Sequence, residues 1–143
     1  MKTQIRRGTR EDARAIARLL TQLGFPADAA CVPARLERFA AGGSAVALVA
    51  TRGRHVLGLA TVHLVPVLQR DRDLAWLTAL VVEESARGTG VGRALVEAAV
   101  AFASEAGCER LSTTTQEACI LAHGFYEAMG FERTGLRFGK SLT

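Results

Sequence analysis

Apolar positions along this chain fall into two kinds of pattern, continuous short runs and stripes at helical spacing. The run Leu74-Ala75-Trp76-Leu77-Thr78-Ala79-Leu80-Val81-Val82 is nearly all apolar and of strand length, which predicts a strand buried on both faces. After it, Val91, Ala94, Leu95, Ala98, Phe102 and Ala106 recur at three- and four-residue steps, with Arg93, Glu97 and Glu105 off the stripe. That periodicity predicts a helix. Upstream, Gln4 to Arg7 reads as a first strand, and Thr9-Arg10-Glu11-Asp12 as a capping-box variant with Asp in place of Glu or Gln. Ala13, Ile16, Ala17, Leu20 and Leu23 then mark a helix that stops at Gly24 and Pro26. A weaker helix is expected near Pro33 to Ala41, with Leu36 and Phe39 inward and Gly42-Gly43 ending it.

Two strands are expected near Ala45–Thr51 and His55–Val65, joined by the turn Arg52-Gly53-Arg54. Downstream, Gly107-Cys108 leads into a strand near Arg110–Thr115, favoured by three consecutive β-branched threonines. The next helix carries Ala118, Leu121, Ala122, Phe125 and Met129 inward, and Phe131 onward, through Phe138 and Leu142, reads as one or two closing strands. Strands and helices mixed in this order predict an α/β sheet in three layers.

The chemistry concentrates between the long apolar run and the helix after it, at Arg87-Gly88-Thr89-Gly90-Val91-Gly92. A strand, a glycine-rich turn and a helix start present a row of free backbone N–H groups at the positive end of a helix dipole, an anion site suited to phosphate. Glycine lets a ligand approach the main chain and permits positive φ. A dinucleotide fold needs G-x-G-x-x-G in its first strand–helix turn, whereas here Gly88, Gly90 and Gly92 lie past the middle of the chain. Gly139-Lys140-Ser141 imitates the end of a P-loop, but Thr134 stands where its first glycine belongs and only two residues follow. The spelling R/Q-x-x-G-x-G/A is filled by Arg87, Gly90 and Gly92.

That spelling resembles the acyl-CoA motif of the GCN5-related N-acetyltransferase (GNAT) superfamily. Leu80-Val81-Val82-Glu83-Glu84 looks like the family's fourth strand running into the loop, with Glu84 where proline is usual. Further on, His123-Gly124-Phe125-Tyr126-Glu127-Ala128-Met129-Gly130-Phe131 is similar to the family's FYE-x-x-GF segment. The resemblance covers essentially the whole chain. It implies a single α/β domain over residues 1–143 with a mixed, mostly antiparallel central sheet. About six to seven strands and about four helices are expected, with the sheet splayed between its fourth and fifth strands. It also implies an acyltransferase that moves acetyl from acetyl-CoA, its cosubstrate, to a primary amine of a small molecule, peptide or protein, by direct attack in a ternary complex. A non-catalytic acyl-CoA-binding or sensor module is the alternative.

Residue by residue, the resemblance assigns cofactor binding to the main chain of Leu80, Val81 and Val82 along the pantetheine arm. Arg87, Gly88, Thr89, Gly90, Val91, Gly92 and Arg93 fall around the pyrophosphate. Tyr126, the chain's single tyrosine, takes the catalytic position beside the leaving thiolate. A thiol has pKa ~8.5 and a phenol ~10, so full proton transfer is uphill by roughly 2 kcal/mol unless the site shifts one of them, and hydrogen bonding to the thiolate is the role otherwise expected. Cys119 stands seven residues before Tyr126, where relatives often carry Asn or Arg, so it falls on the Tyr126 face and lines the cofactor tunnel or is an exposed thiol. Thr114 occupies the position, twelve before Tyr126, where some relatives have a glutamate base. His63, His123, Glu83, Glu84, Glu117 and a water chain remain open as alternatives.

Composition narrows the rest. The 143 residues form a 15.2 kDa chain, 49% hydrophobic and 22% charged, as in ordinary soluble domains. No apolar stretch approaches the ~18 residues of a membrane span, and Met1 to Arg7 has no apolar signal core. Cys31, Cys108 and Cys119 are odd in number and lack metal-ligand spacing, so no metal is expected and a reducing cytoplasm is the simplest setting. The net charge of +4 comes with arginines in scattered pairs and no aromatic interleaving, which argues for a basic surface and against a nucleic-acid partner. Self-association into a homodimer through exposed strand edges, common in relatives, stays open.

Overall fold

The computed structural model describes residues 2–115 and 120–143. Glu117, Ala118 and Cys119, singled out above, lie outside the described residues. The chain divides into two compact units, residues 1–112 and 113–143.

The first unit is built on β1 (Gln4–Arg7), β2 (Ala45–Arg52), β3 (His55–Val65) and β4 (Leu74–Val82), each antiparallel to the next. A short β5 (Leu111–Thr113) completes a mixed sheet in the order β1-β2-β3-β4-β5, tied to the start of β4 by Ala75 N–H donating to Arg110 O at 3.2 Å. Three residues of β5 against nine of β4 account for only part of that edge.

Helices α1 (Ala13–Leu23) and α2 (Val32–Ala40) cover one face. Ile16, Leu19 and Val32 pack there on Val49, Leu59 and Val81, because alternate strand residues share a face. Helix α3 (Val91–Glu105) covers the other face, and Gly58 on β3 is what lets it come close. A Cβ at Gly58 would meet Leu95 Cδ1 at 2.8 Å and Val91 Cγ1 at 3.0 Å. Leu19, Leu59, Leu77 and Leu95 are all fully buried. Each such burial stabilises by roughly 1.5–3 kcal/mol.

The start of α1 follows the capping-box reading. Asp12 Oδ2 accepts from Thr9 N–H at 2.8 Å, and Asp12 N–H donates to Thr9 O, although a short 3-10 turn (Arg10–Asp12) precedes the α-helix. Asp12 is also gripped by Arg6, whose two Nη atoms lie 2.8 and 2.9 Å from its oxygens.

Strand β4 carries buried residues on both faces, in an antiparallel neighbourhood, because a bulge switches the face along it. Ala75 and Leu77 are buried on the α3 side and Val81, opposite Leu59, on the side of α1 and α2, whereas Trp76, Leu80 and Val82 are half-buried and Thr78 is exposed. One expectation is corrected. Residues 131–143, expected to supply closing strands, contain none, so the described residues hold five strands in place of six to seven. The apolar residues of that tail do not alternate consistently, since Phe131 and Leu136 would fall on opposite faces of one strand, and Gly135 and Gly139 interrupt it. Leu136, Phe138 and Leu142 are exposed.

The second unit contains α4 (Ile120–Ala128). No helix among the described residues is long and apolar enough to cross a membrane. No His, Cys, Asp or Glu cluster among them could hold a metal ion.

Candidate active site

The pairing of β3 with β4 slips at one point. Thr61 pairs with Ala79 and Val62 with Leu77, so Thr78 is an extra residue in β4. Its hydroxyl lies 2.7 Å from that of Thr61, which holds the bulge in place. Beyond it Leu80, Val81 and Val82 resume the ladder opposite Ala60, Leu59 and Gly58.

The chain leaves β4 through Glu83, whose N–H donates to Leu57 O at 2.8 Å, then makes a 3-10 turn over Glu84–Ala86. Buried Ala86 anchors that turn. Gly88 and Gly90 follow with φ of 75° and 93°, in the left-handed region that disfavours any residue with a Cβ. Gly90 caps α3, and the first helical bond is Ala94 N–H to Gly90 O at 3.1 Å. The amides of residues 90–93 therefore have no acceptor one turn earlier. Arg87, Gly88, Thr89 and Gly90 are all exposed, and residues 85–96 contain no acidic side chain. An open amide row with cations at both ends fits a phosphate group.

The loop is held by its own side chains. Arg87 Nε donates to Val82 O at 3.1 Å, and the Thr89 hydroxyl donates to Ala86 O. Arg93 lies 3.6 Å from Glu97 one turn later. Arg52 belongs by sequence to a hairpin turn, yet its Nη2 donates to Thr89 O at 2.9 Å while its Nε donates to Thr3 Oγ1. It ties the loop to the first strand region across 37 residues, a link that no local pattern encodes.

Among the proton acceptors, Glu83 is taken up structurally. Arg18 Nε and Gln22 Nε2 donate to it at 2.9 and 3.0 Å. The Gln22 bond first, then Arg18, hold its carboxyl below the usual range. A carboxylate stabilised in this way is a poor base. Glu84 is exposed, and its N–H donates to Gln22 Oε1 at 3.3 Å. His63 is half-buried and packs edge to face on Phe39, with ring centroids 5.0 Å apart. His123 Nδ1 lies 3.4 Å from Arg133 Nη2, and Thr114 accepts from Arg137 at 3.1 Å.

In the second unit, Tyr126 lies on α4, half-buried, with edge-to-face contacts to Phe125 and Phe131 at centroid distances of 5.4 and 5.3 Å. Burial raises its phenol pKa, opposed by a hydrogen bond from Thr113. The end of the helix explains why glycine and phenylalanine follow the tyrosine at this spacing. Gly130 has φ of 90°, its N–H donates to Glu127 O, and Phe131 N–H reaches back to Tyr126 O at 2.9 Å. This is a Schellman cap, and the Phe131–Tyr126 ring contact is its apolar seal.

Residues 13–131 match the Acetyltransferase (GNAT) family, and the chain belongs to it. It is 32% identical over 134 residues to an aminoglycoside N(6')-acetyltransferase type 1 of Stenotrophomonas maltophilia, covering 91% of this chain and 86% of that protein. Over 78 residues, half of each chain, it is 37% identical to the peptidyl-lysine N-acetyltransferase YjaB of Escherichia coli (strain K12). Among solved structures, glucosamine-6-phosphate N-acetyltransferase from Arabidopsis thaliana superposes with a TM-score of 0.87 over all of both chains at 19% identity. That likeness is one of fold alone.

Proposed function

We propose that this chain is an N-acetyltransferase that takes acetyl from acetyl-CoA and passes it to a primary amine by direct attack in a ternary complex. Membership of the acetyltransferase family supports the reaction class. The observation that carries the reading is the glycine-turned, acid-free helix start at residues 87–93, directly after the bulged strand.

Acetyl-CoA would supply the activated thioester. On this reading the amides of residues 88–93 hold the pyrophosphate, with Arg87 and Arg93 adding charge. The main chain of Leu80–Val82 lies along the pantetheine arm, and one of its N–H groups faces the thioester oxygen. Losing one such donor typically costs about 3–4 kcal/mol in barrier, and here the donor is backbone. Tyr126 hydrogen-bonds the departing thiolate. Its raised pKa suits a group that stays protonated and donates a hydrogen bond. With Glu83 engaged by Arg18 and Gln22, the amine proton leaves through water.

The test is calorimetry with acetyl-CoA and with a desulfurised analogue, followed by release of free CoA on mixing with a panel of amines. Heat and CoA release together support the enzyme. Heat with no release from any amine points to a binding module, and no heat with either ligand overturns the reading.

A further inference from the structure

A cavity of about 190 Å³ opens on the sheet face covered by α1 and α2. Leu59, Thr61 and Ala79 form its floor, and Leu20, Leu36 and Phe39 its walls. Ala79 immediately precedes Leu80, so the floor ends one residue, about 3.3 Å, from the stretch proposed to lie along the acyl arm. A ligand lodged here is within reach of an acyl group held there.

The lining is apolar apart from Thr61 and two charged residues, Arg35 and Arg38, and it includes no acid. The two arginines are exposed, one helical turn apart on α2, and neither makes a hydrogen bond or an ion pair among the described residues. A polycation would bring its ammonium groups against two uncompensated guanidinium groups. The cavity is also smaller than the ~300–1,000 Å³ sites that take drug-sized ligands, so it admits one ring or one branched side chain.

From this we infer that the acceptor is a small apolar amine bearing a carboxylate, of the size of a single hydrophobic amino acid. Its body fills the cavity and its carboxylate meets Arg35 and Arg38. This rests on the proposed reaction and adds the substrate class, one unlike the aminoglycosides named for the Stenotrophomonas relative. In the transfer, the neutral amine nitrogen attacks the thioester carbonyl carbon and the C–N bond forms. The C–S bond breaks and CoA leaves as its thiolate; the proton lost by nitrogen passes to water, and water returns one to the thiolate.

The experiment titrates the product pair N-acetylphenylalanine and N-acetylphenylalaninamide by calorimetry, with CoA in the cell. The wild type is compared with Arg35→Gln/Arg38→Gln, whose changes lie on an exposed helix face that tolerates glutamine. The carboxylate is expected to bind about fivefold tighter than the amide, with the preference falling to about one in the double variant and shrinking with salt. Equal affinities, a tighter amide, a preference that survives the double variant, or no heat from either compound would overturn the inference. Because this reads binding of the acceptor body, it is separable from the proposed activity, which fails on absence of acetyl-CoA binding.

Discussion

Phe131 returns to Tyr126 twice, once through its N–H to the Tyr126 carbonyl at 2.9 Å and once through its ring, edge to face at 5.3 Å. Backbone cap and ring contact together fix the turn of helix from which the phenol projects. Gly130 makes this reversal possible by adopting a φ of 90°. Replacing Gly130 with Ala should destabilise by about 1 kcal/mol, and Phe131→Ala by about 3 kcal/mol, both read by urea unfolding. If Phe131→Ala leaves the Tyr126 fluorescence and the unfolding midpoint unchanged, the cap does not order the phenol.

Tyr126→Phe keeps the ring and removes only the donor. Turnover of acetyl-CoA is expected to fall about 100-fold with little change in its affinity. Because burial raises the phenol pKa, the alkaline loss of this donor should come above the ordinary tyrosine value of 10.0. A variant that keeps full kcat would remove the phenol from the mechanism.

Gly88 and Gly90 have open space where a Cβ would go, so the strain of substitution there is conformational and not steric crowding. Gly90→Ala forces a side chain into the left-handed region at roughly 1–2 kcal/mol. We expect acetyl-CoA affinity to fall about tenfold while the rest of the fold holds. Calorimetry checks this, and unchanged affinity would move the phosphate site elsewhere.

Asp12 is buried and held by Arg6 and by the Thr9 amide, which lower its pKa, the Arg6 bond contributing most. A lowered folded pKa means the unfolded chain binds the proton more readily, so stability rises with pH through that window. The contribution is present above the ordinary carboxylate value of 3.8 and is lost as pH falls through the lower folded value. Asp12→Asn should cost about 2 kcal/mol at neutral pH and flatten the acid limb of the unfolding curve. An unaltered acid limb would show that other carboxylates set it.

Glu83 makes the opposite case to a catalytic base. Glu83→Gln should leave the acidic limb of the pH–rate profile where it is while loosening the contact of α1 with the end of β4. A limb that disappears in this variant would restore Glu83 as the base.

Most of the elements could be read from the chain, because their apolar periods are long and their stops are glycine or proline. Strand β3 and strand β4 fall on the expected bounds, and α2 is displaced by one residue. The glycine turn and helix start at residues 87–93 were also legible, since helix geometry and glycine conformation are local properties. Three things needed the third dimension. The bulge at Thr78 depends on register with β3, and the alternation of β4 alone does not encode it. The grip of Arg52 on Thr89, and of Arg18 and Gln22 on Glu83, join residues separated by 37, 65 and 61 positions. The floor of the apolar cavity brings Ala79 beside Thr61 and under Phe39 of a helix early in the chain. Sequence thus determined which backbone amides the helix start leaves without a helical acceptor. Tertiary structure decided which side chains are engaged and which are not, because side-chain partners are set by packing between elements distant in the chain.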